Sequence, residues 1–158
     1  MPVVSAGILL FRRRPSGREV FLVHPGGPYW AKKDLAAWSV PKGIVGLGED
    51  ELAAARREFH EETGFEATGP FDDLGAFRMP SGKTLRVWAA EGDFASEKLA
   101  SNSFEMVWPP KSGRMQSFPE IDRGAWLRRS DALNSIVKGQ QLIIERFFRR
   151  RTAPKSRP

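Results

Sequence analysis

The order of the predicted elements indicates an α+β fold of the αβα-sandwich type. Apolar strands come first, one amphipathic helix lies in mid-chain, and further strands precede two terminal helices. This order differs from the regular strand–helix alternation of a parallel α/β sheet. A length of 158 residues with 41% apolar side chains suits one domain. We therefore expect a single domain over residues 1–148, followed by a basic, disordered tail over residues 149–158.

The first half of the chain is predicted to begin with a hairpin. Residues 3–12 are apolar enough for a strand buried on both faces, and residues 19–24 return as its partner after a Pro-Ser-Gly turn. A short strand over residues 37–40 is expected to stop at Pro41, which has no N–H for a ladder. Asp50 is a suitable N-cap for a helix that reaches about Thr63, and Gly64 is its expected stop.

The second half is predicted to add strands before the terminal helices. Residues 73–78 and 84–90 have β patterns and flank a turn, and a further strand is expected over residues 103–108. A loop rich in Gly, Ser and basic residues leads to a short strand near residues 125–128. Helices are expected at about residues 130–136 and 140–149.

Composition excludes several classes of function. The absence of cysteine removes disulfides, thiolate nucleophiles and cysteine-based zinc sites. The longest apolar run, residues 6–11, is far too short to cross a bilayer, and no signal-peptide pattern is visible. We expect a cytoplasmic protein without a membrane partner.

The net charge of +6 comes mostly from the end of the chain. Residues 149–158 carry five basic side chains and no acidic one, so the rest of the chain has 20 basic against 19 acidic residues. Because the body is nearly neutral, RNA is a possible partner but not a favoured one.

Acidic residues cluster on one face of the mid-chain helix. At 100° per residue, Glu51, Glu58, Glu61 and Glu62 fall within an arc of about 100°. Like charges at such spacing repel one another by a few tenths of a kcal/mol per pair. Hard divalent cations, which prefer oxygen ligands, are the natural candidates to offset this repulsion.

The loop before this helix contains three glycines in six residues, Gly43, Gly46 and Gly48. Such a loop allows bare backbone carbonyls and amides to approach a metal or a phosphate closely. Arg57 can reach back from the helix toward Glu49, which predicts a structural salt bridge between loop and helix.

Seven residues of this region occupy a fixed register over residues 43–65. At roughly 6% usage for each residue type, a chance match is on the order of 10⁻⁹ per start position. The stretch resembles the Nudix box, with apolar Phe59 and Phe65 at the expected positions. The residues that carry the resemblance are Gly43, Glu49, Arg57, Glu58, Glu61, Glu62 and Gly64.

The resemblance implies an αβα-sandwich hydrolase with a mixed central sheet. Members of this family cleave a nucleoside diphosphate linked to another group and use Mg²⁺ or Mn²⁺. The implied metal ligands are Glu58, Glu61, Glu62 and the carbonyl of Gly43. Arg57 is counted with the catalytic residues because it would orient the carboxylates.

The proton acceptor stays open between two acidic residues. Glu58 lies within the box, whereas Glu120 lies outside it and is also a candidate metal ligand. Glu120 precedes Trp126 by six residues, which is similar to the dinucleoside polyphosphate hydrolase branch of the family. The Trp-Ser-Val-Pro-Lys-Gly sequence of residues 38–43 also resembles that branch. Members of that branch often have a tyrosine shortly after the box, and this chain has none there. Glu105 is the second candidate, after Glu120, for the acidic residue outside the box.

Candidate substrate contacts are one lysine and three loop aromatics. Lys42 enters the region beside the implied metals and is the first candidate to bind a phosphate. Tyr29, Trp30 and Phe118 could stack on a base. Trp108, which ends a predicted strand, is expected in the core.

The resulting hypothesis is a divalent-metal-dependent pyrophosphohydrolase acting on a dinucleoside polyphosphate. Alternatives are a hydrolase of nucleoside triphosphates or of RNA 5′ ends, and a nucleotide-binding module without turnover.

Overall fold

The computed structural model describes residues 3–150, which form eight strands, three α-helices and two single-turn 3₁₀ helices. The first part contains β1 (Val4–Arg14), β2 (Gly17–Pro25), β3 (Lys42–Ile44), α1 (Glu51–Thr63), β4 (Asp72–Arg78) and β5 (Thr84–Glu91). The second part contains β6 (Ser103–Val107), β7 (Met115–Pro119), β8 (Ile121–Leu127), α2 (Arg129–Ser135) and α3 (Gln141–Arg149). The 3₁₀ helices are Ser96–Lys98 and Lys138–Gln140.

The central sheet is mixed, as the resemblance implied. Its strand order is β4-β5-β1-β2-β8, and β3 pairs with the first part of β1. β1 runs parallel to β5 and antiparallel to β2 and β3. β6 and β7 form a separate antiparallel hairpin.

Helices cover both faces of the sheet because its central strands are apolar on both sides. Along β1, Ile8 and Leu10 pack in the cluster that contains Phe59 of α1. The alternate residues Leu9 and Phe11 pack in the cluster that contains residues of α2 and α3. Successive side chains of a strand point to opposite faces. The fold is therefore the predicted three-layer sandwich of the α+β class.

The limits of α1 agree with its capping residues. The side chain of Asp50 accepts a hydrogen bond from the backbone N–H of Ala53 at 3.0 Å. Gly64 ends the helix with φ at 82°, and its N–H donates to the carbonyl of His60 at 2.8 Å. A positive φ at this position favours glycine. Local sequence was therefore sufficient to predict this helix.

Two strand predictions were wrong. Residues 37–40 form only isolated bridges, from Trp38 to Ile136 and from Ser39 to Val23, and the strand begins after Pro41 rather than before it. The Pro41 carbonyl still accepts a hydrogen bond from Ile8 N–H at 3.2 Å, so the chain enters β3 already attached to β1. The predicted loop before residue 125 contains β7 and the first half of β8, because long-range pairing with β6 and β2 extends these polar segments.

The end of the predicted domain lies within a helix. Arg149 is the last residue of α3, and Arg150 Nη1 donates to the carbonyl of Asp73 at 2.6 Å. Residues 151–158 of the predicted tail lie outside the described residues. No helix of the described part of the chain is both long and apolar enough to span a bilayer.

Candidate active site

Arg57 lies at the centre of the acidic face of α1. Its Nε and Nη2 atoms donate to the two carboxylate oxygens of Glu49 at 2.8 and 2.9 Å, which is a bidentate pair. Its Nη1 atom donates to Glu58 Oε1 at 2.9 Å and to Glu61 Oε1 at 3.2 Å. Nη2 also donates to the carbonyl of Ile44 at 3.3 Å. The guanidinium joins the glycine-rich loop to the helix, and the predicted salt bridge with Glu49 is confirmed.

The network separates the pKa values of the carboxyl groups. Hydrogen bonds from Arg57 and from Gly46 N–H lower the pKa of Glu49 to about 2. Burial raises the pKa of Glu62 to about 8, although a hydrogen bond from Lys42 N–H opposes this shift. Burial also raises the pKa of Glu58. The low pKa keeps Glu49 ionised at neutral pH. The raised pKa of Glu62 means that a neighbouring positive charge would favour its ionised form.

Gly43 allows β3 to pass directly against the helix. A Cβ atom at this position would overlap with the carboxylate of Glu58. The preceding residue of β3 also contacts the helix, because the backbone N–H of Lys42 donates to Glu62 Oε1 at 3.2 Å. The two carboxylates are thus placed against the backbone of β3, with no side chain between them and the strand.

One cavity of about 340 Å³ joins Glu62 to residues from distant parts of the chain. Lys42, Glu62, Glu120 and Trp30 line it. Burial is the largest cause of the raised pKa values of Glu58 and Glu62, and the charge of Glu120 adds to both. Glu120 therefore shares the electrostatic environment of the box carboxylates, although it is 58 or more residues away in sequence.

Glu120 is held by backbone contacts on both sides. Its N–H donates to the carbonyl of Asn102 at 2.8 Å, and its carbonyl accepts from Gly26 N–H at 2.8 Å. β8 begins at the next residue and carries Trp126, whose indole N–H donates to the carbonyl of Phe94 at 3.1 Å. The six-residue spacing thus places Glu120 just before β8 and Trp126 near the end of that strand, where its ring packs against the core.

The remaining aromatic candidates, Tyr29 and Phe118, are not among the residues that line the cavity. Tyr29 is 60% exposed, and its ring meets Trp108 edge-on with centroids 5.2 Å apart. Phe118 packs against Phe104 of the β6–β7 hairpin at 6.0 Å. The expectation that Trp108 is a core residue was wrong, because it follows the end of β6 and is only half-buried.

Two further acidic residues lie apart from this group. Glu105 is exposed on β6, where it pairs with Ser117, and it lines none of the cavities described. Glu51, which shares the acidic face of α1, pairs with Arg86 of β5 at 3.5 Å. The predicted acidic arc is therefore divided three ways. Glu51 pairs with Arg86, Glu58 and Glu61 contact Arg57, and Glu62 accepts from the backbone N–H of Lys42.

The donor set fits a hard divalent cation. Among residues 3–150, no three acidic or histidine side chains converge as a preformed metal centre. Glu58 and Glu61 nevertheless converge on one positive charge, Arg57 Nη1. Carboxylate and carbonyl oxygens are the ligands that Mg²⁺ prefers, and Glu58, Glu61, Glu62 and the Gly43 carbonyl are the groups that could supply them.

Sequence reasoning missed two polar residues of the cavity. Gln140 is 2% exposed, and Ser39 lies beside it at a distance of 2.9 Å between Gln140 Nε2 and Ser39 Oγ. Both line the cavity, but they are 101 residues apart. Ser39 lies within the motif of residues 38–43 without being assigned a role there, and no motif or periodicity singles out Gln140. Only the bridge between residues 38 and 136 and the adjoining 3₁₀ turn bring them together.

The fold and the site define a Nudix pyrophosphohydrolase. A family model described as NUDIX domain matches residues 1–147, so the chain belongs to this family. It is 31% identical over 133 residues to a 17.7 kDa protein of the e-segB intergenic region of Enterobacteria phage T4, with 82% of this chain and 85% of the relative covered.

Other relatives bear names that state different substrates. The chain is 37% identical to an 8-oxo-(d)GTP phosphatase of Mycolicibacterium smegmatis, covering 58% of this chain and 29% of the relative. It is 26% identical to an RNA pyrophosphohydrolase of Dinoroseobacter shibae, covering 73% and 74%. It is 32% identical to an asymmetrical bis(5′-nucleosyl)-tetraphosphatase of Mus musculus, covering 58% and 66%.

Solved structures show the same fold at low sequence identity. A C. elegans Ap4A hydrolase binary complex aligns with a TM-score of 0.61 and 21% identity, covering 92% of this chain and 96% of that one. The NUDIX domain of Shewanella oneidensis NrtR, complexed with ADP ribose, aligns with a TM-score of 0.65 and 17% identity, covering 96% and 90%.

Proposed function

We propose that this chain hydrolyses a dinucleoside polyphosphate at a pyrophosphate linkage and that it requires Mg²⁺ or Mn²⁺. The observation that carries the proposal is the composition of the cavity that contains Glu62 and Glu120. Lys42 offers a cation to a phosphate, Glu62 and Glu120 offer oxygens to a metal, and Trp30 offers a ring to a base. A substrate with phosphates and a base would engage all three kinds of group.

The proposed roles follow from the contacts of each side chain. A bound divalent cation would neutralise the polyphosphate and lower the pKa of the attacking water. Glu58, Glu61 and Glu62, with the Gly43 carbonyl, would hold it. Arg57 acts as a positioning residue, since its donors are directed at Glu49, Glu58 and Glu61 rather than at the cavity.

Glu120 is the preferred proton acceptor in this proposal, and Glu58 is the alternative. Glu58 is already engaged by Arg57 at 2.9 Å. Glu120 has no ion-pair partner within residues 3–150 and is exposed at the cavity. Glu120 is therefore the carboxylate that no guanidinium of the described residues engages and that is left free to accept a proton from a water molecule.

One relative and one sequence motif support the dinucleoside assignment among the substrates considered. The relative from Mus musculus is named for a dinucleoside tetraphosphate. The Trp-Ser-Val-Pro-Lys-Gly sequence that enters the site also resembles that branch, and its Lys42 lines the cavity.

Product analysis on a nucleotide panel tests the proposal. The panel contains diadenosine and diguanosine tetraphosphates, nucleoside triphosphates including an oxidised one, ADP-ribose and 5′-triphosphorylated RNA, each with Mg²⁺. We expect the dinucleoside tetraphosphates to have the highest kcat/KM and Glu62→Gln to abolish their turnover. Glu66→Gln is the matched control, because Glu66 is exposed and lies 3.9 Å from Arg56, outside the cluster.

Three results would contradict the proposal. If RNA is hydrolysed faster than the dinucleoside tetraphosphates, the substrate is an RNA 5′ end. If a nucleoside triphosphate is hydrolysed faster than they are, the substrate is a nucleoside triphosphate. Metal-dependent binding of the panel without any turnover would instead favour a nucleotide-binding module.

A further inference from the structure

A buried histidine lies directly behind the wall of the cavity that contains Glu62 and Glu120. His24 of β2 is fully buried, and its neighbours Val23 and Pro25 line that cavity. Successive side chains of a strand point to opposite faces, and His24 accordingly is not among the lining residues. A polar ring with no exposed surface needs hydrogen-bond partners inside the protein, and these partners show which segments it joins.

Both ring nitrogens of His24 have a partner. Nδ1 lies 2.8 Å from Asp122 Oδ1, and Nε2 binds the backbone carbonyl of Lys33. A carbonyl oxygen only accepts hydrogen bonds, and so does an ionised carboxylate, so both nitrogens donate while Asp122 is ionised. The imidazole therefore joins β2 to two other segments, the start of β8 and the loop of residues 26–34, which we call the Trp30 loop.

The contact with Asp122 fixes the segment that carries Glu120. Asp122 is an extra residue of β8 without a partner on β2, because the register between the two strands shifts between His24 and Pro25. A bulge of this kind changes the direction of a side chain, and here it brings the Asp122 carboxylate to the imidazole. Glu120 lies two residues before Asp122, so His24 holds the strand end that adjoins the proposed proton acceptor.

The contact with Lys33 fixes the loop that carries Trp30. The N–H of Lys33 donates to the carbonyl of Trp30 at 3.0 Å, which closes a turn over residues 30–33. The ammonium of Lys33 also lies 5.1 Å from the centroid of the Trp30 ring. Trp30 is the residue of this loop that lines the cavity. The position of the proposed base-binding ring therefore depends on a turn that His24 attaches to β2.

The charged groups around the imidazole form a second, weaker link between β8 and the loop. Arg123 Nη2 donates to Asp34 Oδ1 at 3.1 Å, and Arg123 Nε lies 3.8 Å from Asp122 Oδ1. The Trp38 ring meets the imidazole edge-on at 5.2 Å and has the Arg123 guanidinium 5.3 Å from its centroid. Exposed ion pairs contribute little, so the buried imidazole is the stronger connection.

We propose that His24 is a positioning residue that sets the place of Glu120 through Nδ1 and the place of Trp30 through Nε2. The inference rests on the function proposed above, because that function assigns the proton to Glu120 and the base to Trp30. Glu120 acts in the chemical step, whereas Trp30 acts in substrate binding. Loss of the Nδ1 contact should therefore change kcat, and loss of the Nε2 contact should change KM.

Two variants of His24 each keep one of the two donors. The shorter His24→Asn carries its amide nitrogen near the position of Nδ1, which suits the contact with Asp122. His24→Gln carries it near the position of Nε2, which suits the contact with the Lys33 carbonyl. We expect His24→Asn to raise the KM for a dinucleoside tetraphosphate about tenfold at a nearly unchanged kcat. We expect His24→Gln to lower kcat about tenfold at a nearly unchanged KM.

Asp122→Ala tests the Nδ1 contact from the other side. The Asp122 side chain is 30% exposed, so its removal disturbs the core less than a change of His24 does. We expect Asp122→Ala to lower kcat by as much as His24→Gln, and the double variant to lose no more than either single variant. A wild-type kcat in Asp122→Ala would overturn the proposal, even if a variant of His24 fails to fold.

His60 provides the matched controls, because it is the second of the two histidines and is exposed on α1. His60→Asn and His60→Gln should keep the wild-type kcat and KM. A purely structural His24 would instead give variants that melt at lower temperature and change kcat and KM together. Parallel changes of both parameters in the two folded His24 variants, or wild-type kinetics in both, would overturn the proposal.

Amide hydrogen exchange of the ligand-free protein distinguishes failure of this inference from failure of the proposed function. Two hydrogen-bonded amides report on the two segments, the Lys33 N–H on the Trp30 loop and the Glu120 N–H on the start of β8. We expect faster exchange at Lys33 in His24→Asn and at Glu120 in His24→Gln. If the wild type hydrolyses no nucleotide, the proposed function fails, while this pattern would still support His24 as a positioning residue. Equal exchange at both amides in the wild type and both variants would overturn it.

Discussion

At the scale of single residues, position 57 requires an arginine and not merely a positive charge. Its planar donors reach Glu49 bidentately while Nη1 contacts Glu58 and Glu61. A lysine ammonium is a compact charge and cannot form this fork. The position of two proposed metal ligands therefore depends on the shape of one neighbouring side chain.

We expect Arg57→Lys to lower kcat/KM about tenfold or more while the protein stays folded. The substitution keeps the positive charge but loses the simultaneous contacts with Glu49 and Glu58. Arg56→Lys is the control, since Arg56 lies exposed with its guanidinium over Phe71 at 5.1 Å. Steady-state kinetics with Mg²⁺ measure the effect. Wild-type activity in Arg57→Lys would show that the fork does not position the carboxylates.

The stability contributed by Glu49 should depend on pH. Arg57 lowers the pKa of Glu49 to about 2 in the folded state, against about 4.3 in an unfolded chain. A lowered folded pKa gives stability that is present above the unfolded pKa and is lost as the pH falls through the folded pKa. The Tm difference between wild type and Glu49→Gln should therefore shrink between about pH 4.3 and pH 2.

Thermal melts of both proteins across this pH range measure the difference. Glu66→Gln provides the comparison, because Glu66 is exposed and forms only a 3.9 Å contact with Arg56. A difference between wild type and Glu49→Gln that stays constant down to pH 2 would argue against an ionised, Arg57-bound Glu49.

At the scale of elements, α1 and α3 are positioned in different ways. α1 combines caps at both ends with a face of small and aromatic residues, Ala54, Ala55 and Phe59, that is fully buried. α3 has no side-chain N-cap, and its buried face is made by Ile143, Ile144 and Phe147. α3 therefore depends on tertiary packing, which is the usual source of stability for short helices.

Phe147→Ala should lower the free energy of unfolding by about 3–5 kcal/mol. The Phe147 ring is 1% exposed, packs against Phe11 with centroids 5.0 Å apart, and lies 4.4 Å below the guanidinium of Arg18. Leu142→Ala, on the exposed side of the same helix, should change it by less than about 0.5 kcal/mol. Urea unfolding measures both, and losses of equal size would contradict the docking of α3 through this face.

At the scale of the whole molecule, the last described residues fasten α3 to two separate strands. Arg18 of β2 donates to the carbonyls of Phe148 and Arg150 at 3.3 and 3.2 Å. Arg150 Nη1 donates to the Asp73 carbonyl at 2.6 Å and pairs with Asp72 at 3.3 Å. The C-terminal end of α3 is thus attached to β2 and to the edge strand β4.

A chain that ends at residue 148 should therefore be less stable than one that ends at residue 150. Four polar contacts of Arg150 are lost, and partly exposed contacts of this kind contribute about 1–2 kcal/mol together. Urea unfolding of the two truncated chains gives the difference. Arg150→Ala in the longer chain separates the side-chain contacts from the two backbone contacts. Equal stability of the two truncated chains would contradict the attachment.

Local sequence was sufficient for the features whose causes lie within a few residues. Asp50 and Gly64 delimit α1 by short-range hydrogen bonds, and the register of Glu58, Glu61 and Arg57 follows from helical periodicity. The strand after Pro41 was misplaced because three-residue β3 has no pattern of its own and exists through pairing with β1. β7 was missed for the same reason, since it is polar and pairs with β6.

The sequence by itself determined the family, the three-layer fold and the acidic helix, because these depend on motif register and periodicity within short stretches. Only the tertiary structure decided which distant side chains share the cavity. β3 brings Lys42 to Glu62, the start of β8 brings Glu120, and the turn before α3 brings Gln140 to Ser39. The Lys42–Glu62 and Ser39–Gln140 pairs are 20 and 101 residues apart, and both require strand pairing and helix docking that no local pattern encodes.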